Sequence, residues 1–511
     1  MNNHFYSRLL GCFIAVLIFG GGNLMAQPVL NARNIALGGG GTAYLNGIEA
    51  NFYNPANLSV YDREGSIHFS LGTLGTFFEP VLSSGNPKSQ FQRYTDTFLP
   101  YEPGEQGITT TQRTTILDEN YSGNNLTSEH LSRADIIWGG LQWIGDKKSY
   151  SIALRTRLGS RIEVGKGWYS VEDYAQNGTS VRDMTLIKQT QALHEISFGF
   201  AQEFQFLNGL IPRINKLYLG IAPKFLLGGT YENSVYNGKY ITDDQNNTTY
   251  QRDFTFYSTG IYSDMISSYL LSGSAENAID RELNNRFLLK PTGYGAGVDF
   301  GLTYLIPLGS DVSILDSGES RKPIEKSLRI GLSITDIGVV HYSSQPLQLS
   351  LSQTNTQINA QDPVDNQFIG SAGQLPVFFD EATELPNPFF EANSQSDGNF
   401  TVSLPTSFNA GIVLDINRVK LMSDLTLGLS NTAFTNKKLV AHFGVESRPL
   451  PYLPLRFGTT LAAGKPLRFG AGTGFESRYW DFSISTQVLV KSSTLTSDVV
   501  GGAIAALRFH L

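Results

Sequence analysis

The residues of this sequence best suited to chemistry are arginines that recur on the polar face of alternating segments. A guanidinium group binds a carboxylate through two parallel hydrogen bonds, so it suits either ion pairing or recognition of an anion. Alternation places these arginines on one face: Arg155, Arg157, Arg161, Arg329, Arg456, Arg468 and Arg508. The same face carries six acidic residues: Glu163, Glu195, Glu203, Asp299, Glu446 and Asp481. The arginines therefore either pair with these carboxylates and with an enclosed plug, or contact a ligand, and both interpretations stay open.

Catalytic motifs are absent from the sequence. It contains no Gly-x-Ser-x-Gly nucleophile elbow and no His-Glu-x-x-His zinc motif, and its seven histidines are scattered along the chain. We therefore expect a protein that is not an enzyme, and we predict no metal site and no cofactor.

The stretch from residue 31 to residue 62 departs from the alternation of the rest. Gly38, Gly39, Gly40 and Gly41 can adopt backbone angles that side chains forbid, and Asn54-Pro55-Ala56-Asn57 has the composition of a turn. A phosphate-binding loop is not indicated, because no Gly-Lys-Ser/Thr follows the glycines and no strand precedes them. A flexible linker is not indicated either, because many residues require burial: Ile35, Leu37, Tyr44, Leu45, Ile48, Phe52, Tyr53 and Leu58.

The first 26 residues have the pattern of a secretory signal peptide. Arg8 supplies the positive start, Leu9 to Gly22 form the apolar run, and Ala26 is the small residue before the cleavage site. A lipoprotein leader is the competing interpretation, because Leu9-Leu10-Gly11-Cys12 resembles a lipidation box, but most of the apolar run follows Cys12. We therefore predict an exported protein whose net charge changes from −7 to −8 when Arg8 is removed.

The composition beyond the leader restricts the class of protein. Charged residues make up only 16% of the chain, yet no later segment offers the ~18 consecutive apolar residues of a membrane helix. The acidic balance and the lack of lysine-rich runs exclude nucleic acid as a partner. An exported chain of this kind is either a large secreted β protein or a barrel in the outer membrane of a Gram-negative cell.

The length of the alternating segments favours the barrel. A strand of a soluble sandwich has ~5 to 6 residues, whereas a tilted membrane strand needs ~9 to 11. We predict an all-β fold, a 14-stranded antiparallel transmembrane barrel over residues 66–511, with these strands: 66–78, 132–144, 149–164, 191–206, 216–231, 287–306, 327–343, 404–416, 420–430, 438–448, 453–463, 466–475, 477–491 and 500–511.

The connections between the predicted strands give an independent indication of topology. The four longest are the first, third, fifth and seventh: 79–131, 165–190, 232–286 and 344–403. They therefore fall on one side of the sheet, as the extracellular loops of an outer-membrane barrel do. The connections on the other side are mostly short turns, although 307–326 is a longer exception.

Three motifs follow one another near the N-terminus: Ala36-Leu37-Gly38-Gly39-Gly40-Gly41-Thr42-Ala43-Tyr44, then Gly47-Ile48-Glu49-Ala50, then Asn54-Pro55-Ala56-Asn57-Leu58. In this order they resemble the N-terminal hatch of the FadL/TodX family of outer-membrane transporters for long-chain fatty acids and hydrocarbons. The resemblance implies that residues 27–65 form a hatch, or plug, inside the barrel lumen. It further implies that a hydrophobic ligand enters from outside and leaves sideways through a gap at the third strand.

Candidate positions for such a gap are present in the sequence. The third strand contains Gly159 and Ser160, and glycine within a strand marks bulges or weak pairing. Pro223 in the fifth strand cannot donate a hydrogen bond to its neighbour. The chain departs from the family pattern in its longer loops and in Leu511 as its last residue, where an aromatic residue is common.

Two functions from different classes follow from these features. The first is passive transport of small hydrophobic molecules, such as fatty acids or hydrocarbons, across the outer membrane. The second is a non-transporting barrel that binds a protein partner through its extracellular loops, such as a type IX secretion component resembling PorV; a surface adhesin is a further alternative. A continuous apolar path through the lumen would favour transport, whereas a lumen packed with paired charges would favour the partner role.

Overall fold

The computed structural model describes most of the chain beyond the predicted leader, which lies outside the described residues. The described ranges are 29–60, 67–79, 110–121, 126–170, 174–176, 179–204, 216–242, 248–272, 291–308, 326–356, 394–462, 467–477, 479–490 and 497–510.

Strands dominate the described part of the chain. Numbered in chain order, they are β1 Ile67–Phe78, β2 Thr127–Ile144, β3 Lys148–Gly165, β4 Tyr174–Gln176, β5 Thr179–Asp183, β6 Leu186–Phe204, β7 Lys216–Thr242, β8 Thr248–Thr259, β9 Gly293–Pro307, β10 Lys326–Tyr342, β11 Leu347–Thr356, β12 Ser394–Ser396, β13 Phe400–Ser403, β14 Ser407–Ile416, β15 Val419–Gly428, β16 Leu439–Leu450, β17 Leu453–Leu461, β18 Arg468–Glu476, β19 Trp480–Val490 and β20 Ser497–His510.

The helices in the described ranges are few and short. They are α1 Ala32–Ala36, α2 Thr110–Asn120 and α3 Ile261–Ser272, with single 3-10 turns at Gly47–Phe52, Pro55–Ser59 and Lys166–Trp168. No helix in the described part of the chain has the length and apolar content needed to cross a membrane.

Fourteen of the strands form a closed antiparallel ring. Its order is β1-β2-β3-β6-β7-β9-β10-β14-β15-β16-β17-β18-β19-β20, and β20 pairs back onto β1. Each of the fourteen predicted segments overlaps one strand of this ring, so the predicted fold class is confirmed. The boundaries differ most at β9, which begins at Gly293 rather than residue 287, and at β7, which continues to Thr242.

The ring has an apolar outside and a polar inside because side chains alternate along each strand. Trp143 and Phe457 face outward with 61% and 58% of their surface exposed, whereas the adjacent Gln142 and Arg456 are buried in the lumen. An uninterrupted apolar exterior on a closed ring is the surface that a lipid bilayer requires. The protein is therefore an outer-membrane barrel.

The two ends of the barrel differ in their connections. We call the end that carries the connections between β1 and β2, β3 and β6, β7 and β9, and β10 and β14 the long-loop end, and the opposite end the short-turn end. The segment of residues 29–60 lies in the lumen and ends at the short-turn end, where Ser59 lies 3.2 Å from Ser149 at the start of β3 and the Leu58 carbonyl accepts a hydrogen bond from Gln142.

The long connections contain more regular structure than the sequence predicted. Strand β8 pairs with the outer part of β7 and with β11, so residues 248–259 and 347–356 extend the wall beyond the ring. Together with α2 and α3 they enclose a second apolar core, whose buried members include Ile116, Tyr121, Trp168, Tyr169, Tyr236, Phe254, Phe256, Ile261, Tyr262, Ile266, Leu347, Leu349 and Leu351. These parts of the connections are packed structure rather than irregular loops.

Candidate functional site

The described N-terminal segment, residues 29–60, lies where the hatch was predicted, and we use the name hatch for it. It begins with α1, a short helix capped at both ends. The side-chain oxygen of Asn31 accepts hydrogen bonds of 2.9 Å from the backbone N–H groups of Arg33 and Asn34, and the Asn34 side chain accepts one of 2.8 Å from Asn31 N–H. This reciprocal arrangement satisfies donors that a helix start leaves unpaired. Gly38 and Gly39 then adopt φ of +80° and +99°, a left-handed conformation that favours glycine. Two of the predicted hatch glycines therefore end this helix.

The turn at residues 54–57 holds the hatch together and joins it to the wall. Asn54 Nδ2 donates to the carbonyl of Thr42 at 2.8 Å and to Thr303 Oγ1 of β9 at 3.0 Å. Asn57 Nδ2 donates to the same Thr42 carbonyl at 2.9 Å, and Thr303 Oγ1 donates to Asn57 Oδ1 at 2.6 Å. Asn54 and Asn57 thus link the second half of the hatch to the first half and to the barrel.

The glycine-rich half of the hatch contacts the opposite part of the wall through its backbone. Thr42 N–H donates to Asp424 Oδ1 of β15 at 2.9 Å. The carbonyl of Gly38 accepts hydrogen bonds from His442 Nδ1 at 2.6 Å and from Thr460 Oγ1. Side chains of the barrel therefore satisfy hatch backbone groups that no secondary structure pairs.

Tyr44 places its hydroxyl in a buried cluster of ion pairs. It donates a hydrogen bond to Glu446, whose Oε2 also lies 2.7 Å from Arg456 Nε. Arg456 contacts Glu476 as well, and Arg448 bridges the two glutamates at 2.9 Å and 2.6 Å. Burial raises the pKa of Tyr44 far above its ordinary value, so the hydroxyl remains a donor.

Glu49 is the acidic residue through which the hatch contacts the last strand. Arg508 Nη2 lies 2.7 Å from Glu49 Oε1 and 2.6 Å from Oε2, and Arg33 Nη2 is 3.9 Å from Oε2. Burial by itself would raise the pKa of Glu49, but Arg508 and Arg33 outweigh burial and hold this pKa below its ordinary value. Glu49 is therefore a carboxylate that binds two cations.

The wall approaches the hatch backbone most closely at glycines. In the described residues, a Cβ added at any of ten of them would lie within 2.9 Å of a hatch atom. We call this set the glycine belt: Gly75, Gly199, Gly220, Gly301, Gly331, Gly411, Gly444, Gly458, Gly470 and Gly472. At Gly301 the Cβ would lie 2.0 Å from Asn54 Oδ1, and at Gly458 it would lie 2.1 Å from the carbonyl carbon of Leu37. The hatch therefore fits a space that the wall leaves free by omitting side chains.

A buried layer of six charged residues crosses the lumen next to the hatch. This ion-pair layer consists of Arg155, Arg157, Glu195, Lys224, Asp299 and Asp336. Arg155 lies 2.7 Å and Arg157 2.5 Å from Glu195, while Arg157 is also 2.8 Å from Asp336. Lys224 is 2.7 Å from Asp299 and 2.6 Å from Asp336. Three cations and three anions balance, as burial of charge requires.

The other arginines predicted to face the lumen do so, and they differ in their partners. Arg161 lies 2.6 Å from Glu129 and 2.5 Å from Glu163, whereas Arg329 is 3.5 Å from Asp415. Arg468 is buried with its guanidinium over the Phe77 ring, 4.7 Å from the centroid; among the described residues the Glu79 carboxylate acts on it electrostatically, but no carboxylate lies within ion-pair distance. The predicted acidic residues Glu203 and Asp481 pair with Lys216 at 3.1 Å and His510 at 2.9 Å.

The predicted gap at Gly159 and Ser160 is not found. Strand β3 pairs continuously through both residues, with Arg133 and Ser132 of β2 on one side and Gln191 and Thr190 of β6 on the other. Gly159 has a different role: a Cβ there would lie 2.5 Å from the Phe434 ring, so the missing side chain makes room for this residue.

Pro223 lies at a real irregularity of the wall. The paired residues of β6 and β7 run in register from Ser197 with Lys224 to Phe200 with Ile221, and skip Phe198 and Gly199 opposite Pro223 and Ala222. Proline has no N–H to donate, which accounts for the local loss of pairing. The β7–β9 ladder on the other side of Pro223 is continuous.

Apolar side chains fill the lumen on the long-loop side of the ion-pair layer. This lumen cluster consists of Leu193, Leu226, Tyr231, Val340, Tyr342, Leu404, Ala433 and Phe434. Tyr231 and Tyr342 stack with centroids 5.1 Å apart, and Gln191 Nε2 donates to the Tyr342 hydroxyl at 2.8 Å. This cluster was not predicted from the sequence, although Leu226 lies two residues from Lys224 on the same inward face.

The described residues contain no group of three His, Cys, Asp or Glu side chains placed to hold a metal ion. A cavity with about 20 Å³ of space, enough for one water molecule, lies between α1 and the wall; Arg33, Glu49, Ser70, Asp481 and Arg508 line it.

Comparisons with known proteins identify one family and several solved structures. A family model described as "Family of unknown function (DUF5723)" matches residues 74–485. Among curated proteins, none matches this chain.

Several solved structures are similar to this chain. A "TodX deltaS2S3 mutant monoaromatic hydrocarbon channel" is 12% identical with a TM-score of 0.45, covering 94% of this chain and 99% of that one. The Pseudomonas putida toluene transporter TodX is 12% identical with a TM-score of 0.42, covering 96% and 99%. The Ralstonia pickettii toluene transporter TbuX is 12% identical with a TM-score of 0.39, covering 95% and 99%.

Proposed function

Since the chain belongs to this family of unknown function, whose description assigns no activity, we propose a function from the lumen: passive passage of small hydrophobic molecules through the outer membrane. No cofactor and no covalent step is required. The short-turn end would face the periplasm and the long-loop end the outside, as in outer-membrane barrels generally.

The observation that supports this proposal is the position of the lumen cluster beside the irregular β6–β7 pairing. Leu193 of β6 and Leu226 of β7 belong to the cluster, and Pro223 is three residues from Leu226 on the same strand. An apolar molecule held by the cluster would therefore be close to a part of the wall with fewer hydrogen bonds. Transfer from this cluster into the bilayer keeps an apolar molecule out of water at each step.

A straight path through the barrel is not supported by the packing. The ion-pair layer and the hatch lie between the lumen cluster and the short-turn end, and Phe52 of the hatch packs 4.1 Å from the Arg155 guanidinium. An apolar molecule would have to replace paired charges to continue along the axis, which is unfavourable. Glu195 and Lys224 of the layer lie between the cluster and Pro223, but exit between β6 and β7 has to open only their contact of 3.8 Å, whereas axial passage has to open the whole layer and displace the hatch. We therefore propose that the molecule leaves sideways at Pro223 rather than through the hatch.

Arg468 is the arginine best suited to contact an anionic head group of such a molecule. Arg456 is neutralised by Glu446 and Glu476, whereas Arg468 stacks on Phe77 without an ion pair to a described residue. Replacing Arg468 with Gln should slow the uptake of an amphiphile with a carboxylate and leave a neutral analogue unaffected. Equal effects on both molecules would show that Arg468 has a structural role.

The test combines native mass spectrometry with uptake into proteoliposomes, using the full chain. A co-purified apolar molecule, and uptake of a small apolar fluorophore, are the expected results. Leu226→Gln places a polar group in the lumen cluster and should reduce both, whereas Leu219→Gln on the lipid-facing side of the same strand is the matched control. Uptake that is equal in the wild type and the Leu226→Gln variant would refute the proposal.

A second candidate function rests on a different observation. The lumen contains a layer of paired charges and a hatch closely fitted to the glycine belt, which is the arrangement expected of a barrel that does not conduct. Such a barrel would bind a protein partner through the packed structure at its long-loop end. A stoichiometric protein subunit in the native mass spectrum, together with no uptake of the fluorophore, would support this function instead.

A further inference from the structure

The connection between β15 and β16 folds into the lumen instead of extending from the barrel. We call residues 429–438 the lumen loop. Phe434 at its tip is completely buried, and Ala433, Thr435 and Asn436 are buried with it. Only its base is accessible, at residues such as Lys437. A polar connection at the long-loop end would ordinarily remain in water, so this inward course requires specific contacts.

The lumen loop has a compact internal structure. Thr432 N–H donates to the Thr435 carbonyl at 2.7 Å, and Thr435 Oγ1 donates to the Ser430 carbonyl at 3.0 Å. Asn431 Oδ1 accepts a hydrogen bond of 2.8 Å from Lys437 N–H. At the base of the loop, Lys438 N–H donates to the Asn436 carbonyl and Gly428 N–H donates to the Lys438 carbonyl. Leu429 N–H donates to the Thr406 carbonyl at 2.9 Å. The loop can therefore move as one unit without breaking a strand ladder.

The tip of the lumen loop reaches the far wall of the barrel. Its parent strands β15 and β16 lie seven positions from β2 and β3 in either direction around the ring. Asn436 Nδ2 nevertheless donates to Glu129 Oε2 of β2 at 3.0 Å, and Lys438 Nζ contacts the same carboxylate. Arg161 Nε of β3 lies 2.6 Å from the other oxygen of Glu129. Side chains make these hydrogen bonds and ion pairs across the lumen.

Phe434 fills a site that the far wall leaves open. A Cβ at Gly159 of β3 would lie 2.5 Å from the Phe434 ring, and the guanidinium groups of Arg157 and Arg133 lie 4.8 Å and 5.8 Å from its centroid. The ring is thus held by cation–π contacts and by shape. It also belongs to the lumen cluster, with Leu193 of β6.

We propose that the lumen loop is a gate between the long-loop end and the wall residues of the lumen cluster, latched by Glu129 and closed by Phe434. The latch is a carboxylate on the opposite wall, so releasing Asn436 and Lys438 frees the tip while β15 and β16 stay paired. When the tip withdraws, Phe434 leaves its site beside Arg157 and Gly159. Leu193 then becomes accessible from the long-loop end. This role is independent of which molecule uses the lumen.

The test measures access to the lumen with single cysteines and a membrane-impermeant maleimide. The only natural cysteine is Cys12, which is changed to Ser in all variants. Leu193→Cys reports on the space behind the gate, and Ala50→Cys in the hatch reports on general unfolding; both positions are completely buried. The two reporters are combined with Glu129→Gln, Phe434→Ala and Lys438→Met, and with Lys437→Met as the matched control for an exposed lysine of the same loop.

We expect Leu193→Cys to react at least tenfold faster in the Glu129→Gln, Phe434→Ala and Lys438→Met variants, with Ala50→Cys still protected and no effect of Lys437→Met. A Leu193→Cys reporter that stays protected in all three variants would overturn the proposal. Equal labelling of both reporters would overturn it too, because the lumen loop would then be a structural support whose loss unfolds the barrel.

Discussion

The carboxylate of Glu49 in the hatch accepts two hydrogen bonds from Arg508 Nη2, which lies 2.7 Å from Oε1 and 2.6 Å from Oε2. Arg508 lies on β20, the last strand of the ring, and β20 closes the barrel by pairing with β1. The hatch thus contacts the strand that completes the wall. Its anchorage at this point exists only in the closed barrel.

This ion pair predicts a specific loss of stability in acid. The pKa of Glu49 in the folded protein lies below its ordinary value of 4.5, so its contribution is complete above about pH 4.5 and decreases as the pH falls through the lowered pKa. Lowering the pH from 5 to 3 should therefore reduce the thermal unfolding midpoint of the wild type by more than it reduces the midpoint of Glu49→Gln. Circular dichroism measures both midpoints, with the exposed Asp397→Asn as control. Parallel pH profiles of the wild type and Glu49→Gln would contradict the prediction.

The glycine belt predicts that one methyl group can displace the hatch. Alanine at Gly301 would place its Cβ 2.0 Å from Asn54 Oδ1, whereas alanine at Gly502 would meet its nearest atom at 3.2 Å. Overpacking of this kind costs about 1 to 3 kcal/mol. We expect Gly301→Ala to lower the unfolding midpoint and to expose an Ala50→Cys reporter in the hatch, with little effect of Gly502→Ala. Full protection of the reporter in Gly301→Ala would show that the wall can yield at this point.

The sequence contained the information for the ring because alternation is a local property. Strand β3 was predicted as residues 149–164 and runs from Lys148 to Gly165, a difference of one residue at each end. The alternation of polar and apolar residues also identified which arginines face inward, since the face opposite an apolar exterior is polar. For the hatch, the sequence indicated only that its apolar residues must be buried, and it did not indicate how closely the wall fits around them.

The pairing of charges across the lumen could not be derived in the same way. Alternation gives the face of a residue but not its height or its neighbour across the barrel, so Lys224 was not connected with Asp299. Asp336 has a positive φ of 58° at a register shift of β10, and there simple alternation fails. Phe434 lies in a short polar connection that has the composition of an exposed turn. Its burial depends on Glu129 and Gly159, which are about 300 residues away in sequence.

The ion-pair layer predicts that removing one cation destabilises the fold more than removing a cation together with its carboxylate partner. Lys224 is completely buried between Asp299 and Asp336, so Lys224→Met leaves the buried Asp299 carboxylate without its cation, while Asp336 keeps Arg157. Loss of one member of such a pair costs about 3 to 5 kcal/mol, whereas neutral replacement of both is often tolerated. The double variant Lys224→Met with Asp299→Asn should therefore be more stable than Lys224→Met alone. Chemical unfolding in detergent measures the order, and a double variant less stable than the single one would refute it.

The irregular pairing at Pro223 leads to a prediction about the rate of transport. Pro223→Ala supplies the N–H that β7 lacks opposite Phe198 and Gly199, and one restored hydrogen bond stabilises a closed wall by about 1 kcal/mol. A difference of this size reduces the open fraction about fivefold. Uptake of a small apolar fluorophore into proteoliposomes should fall by that factor, while Pro307→Ala at the end of β9 should have no effect. If Pro223→Ala transports as fast as the wild type, the molecule does not leave the lumen between β6 and β7.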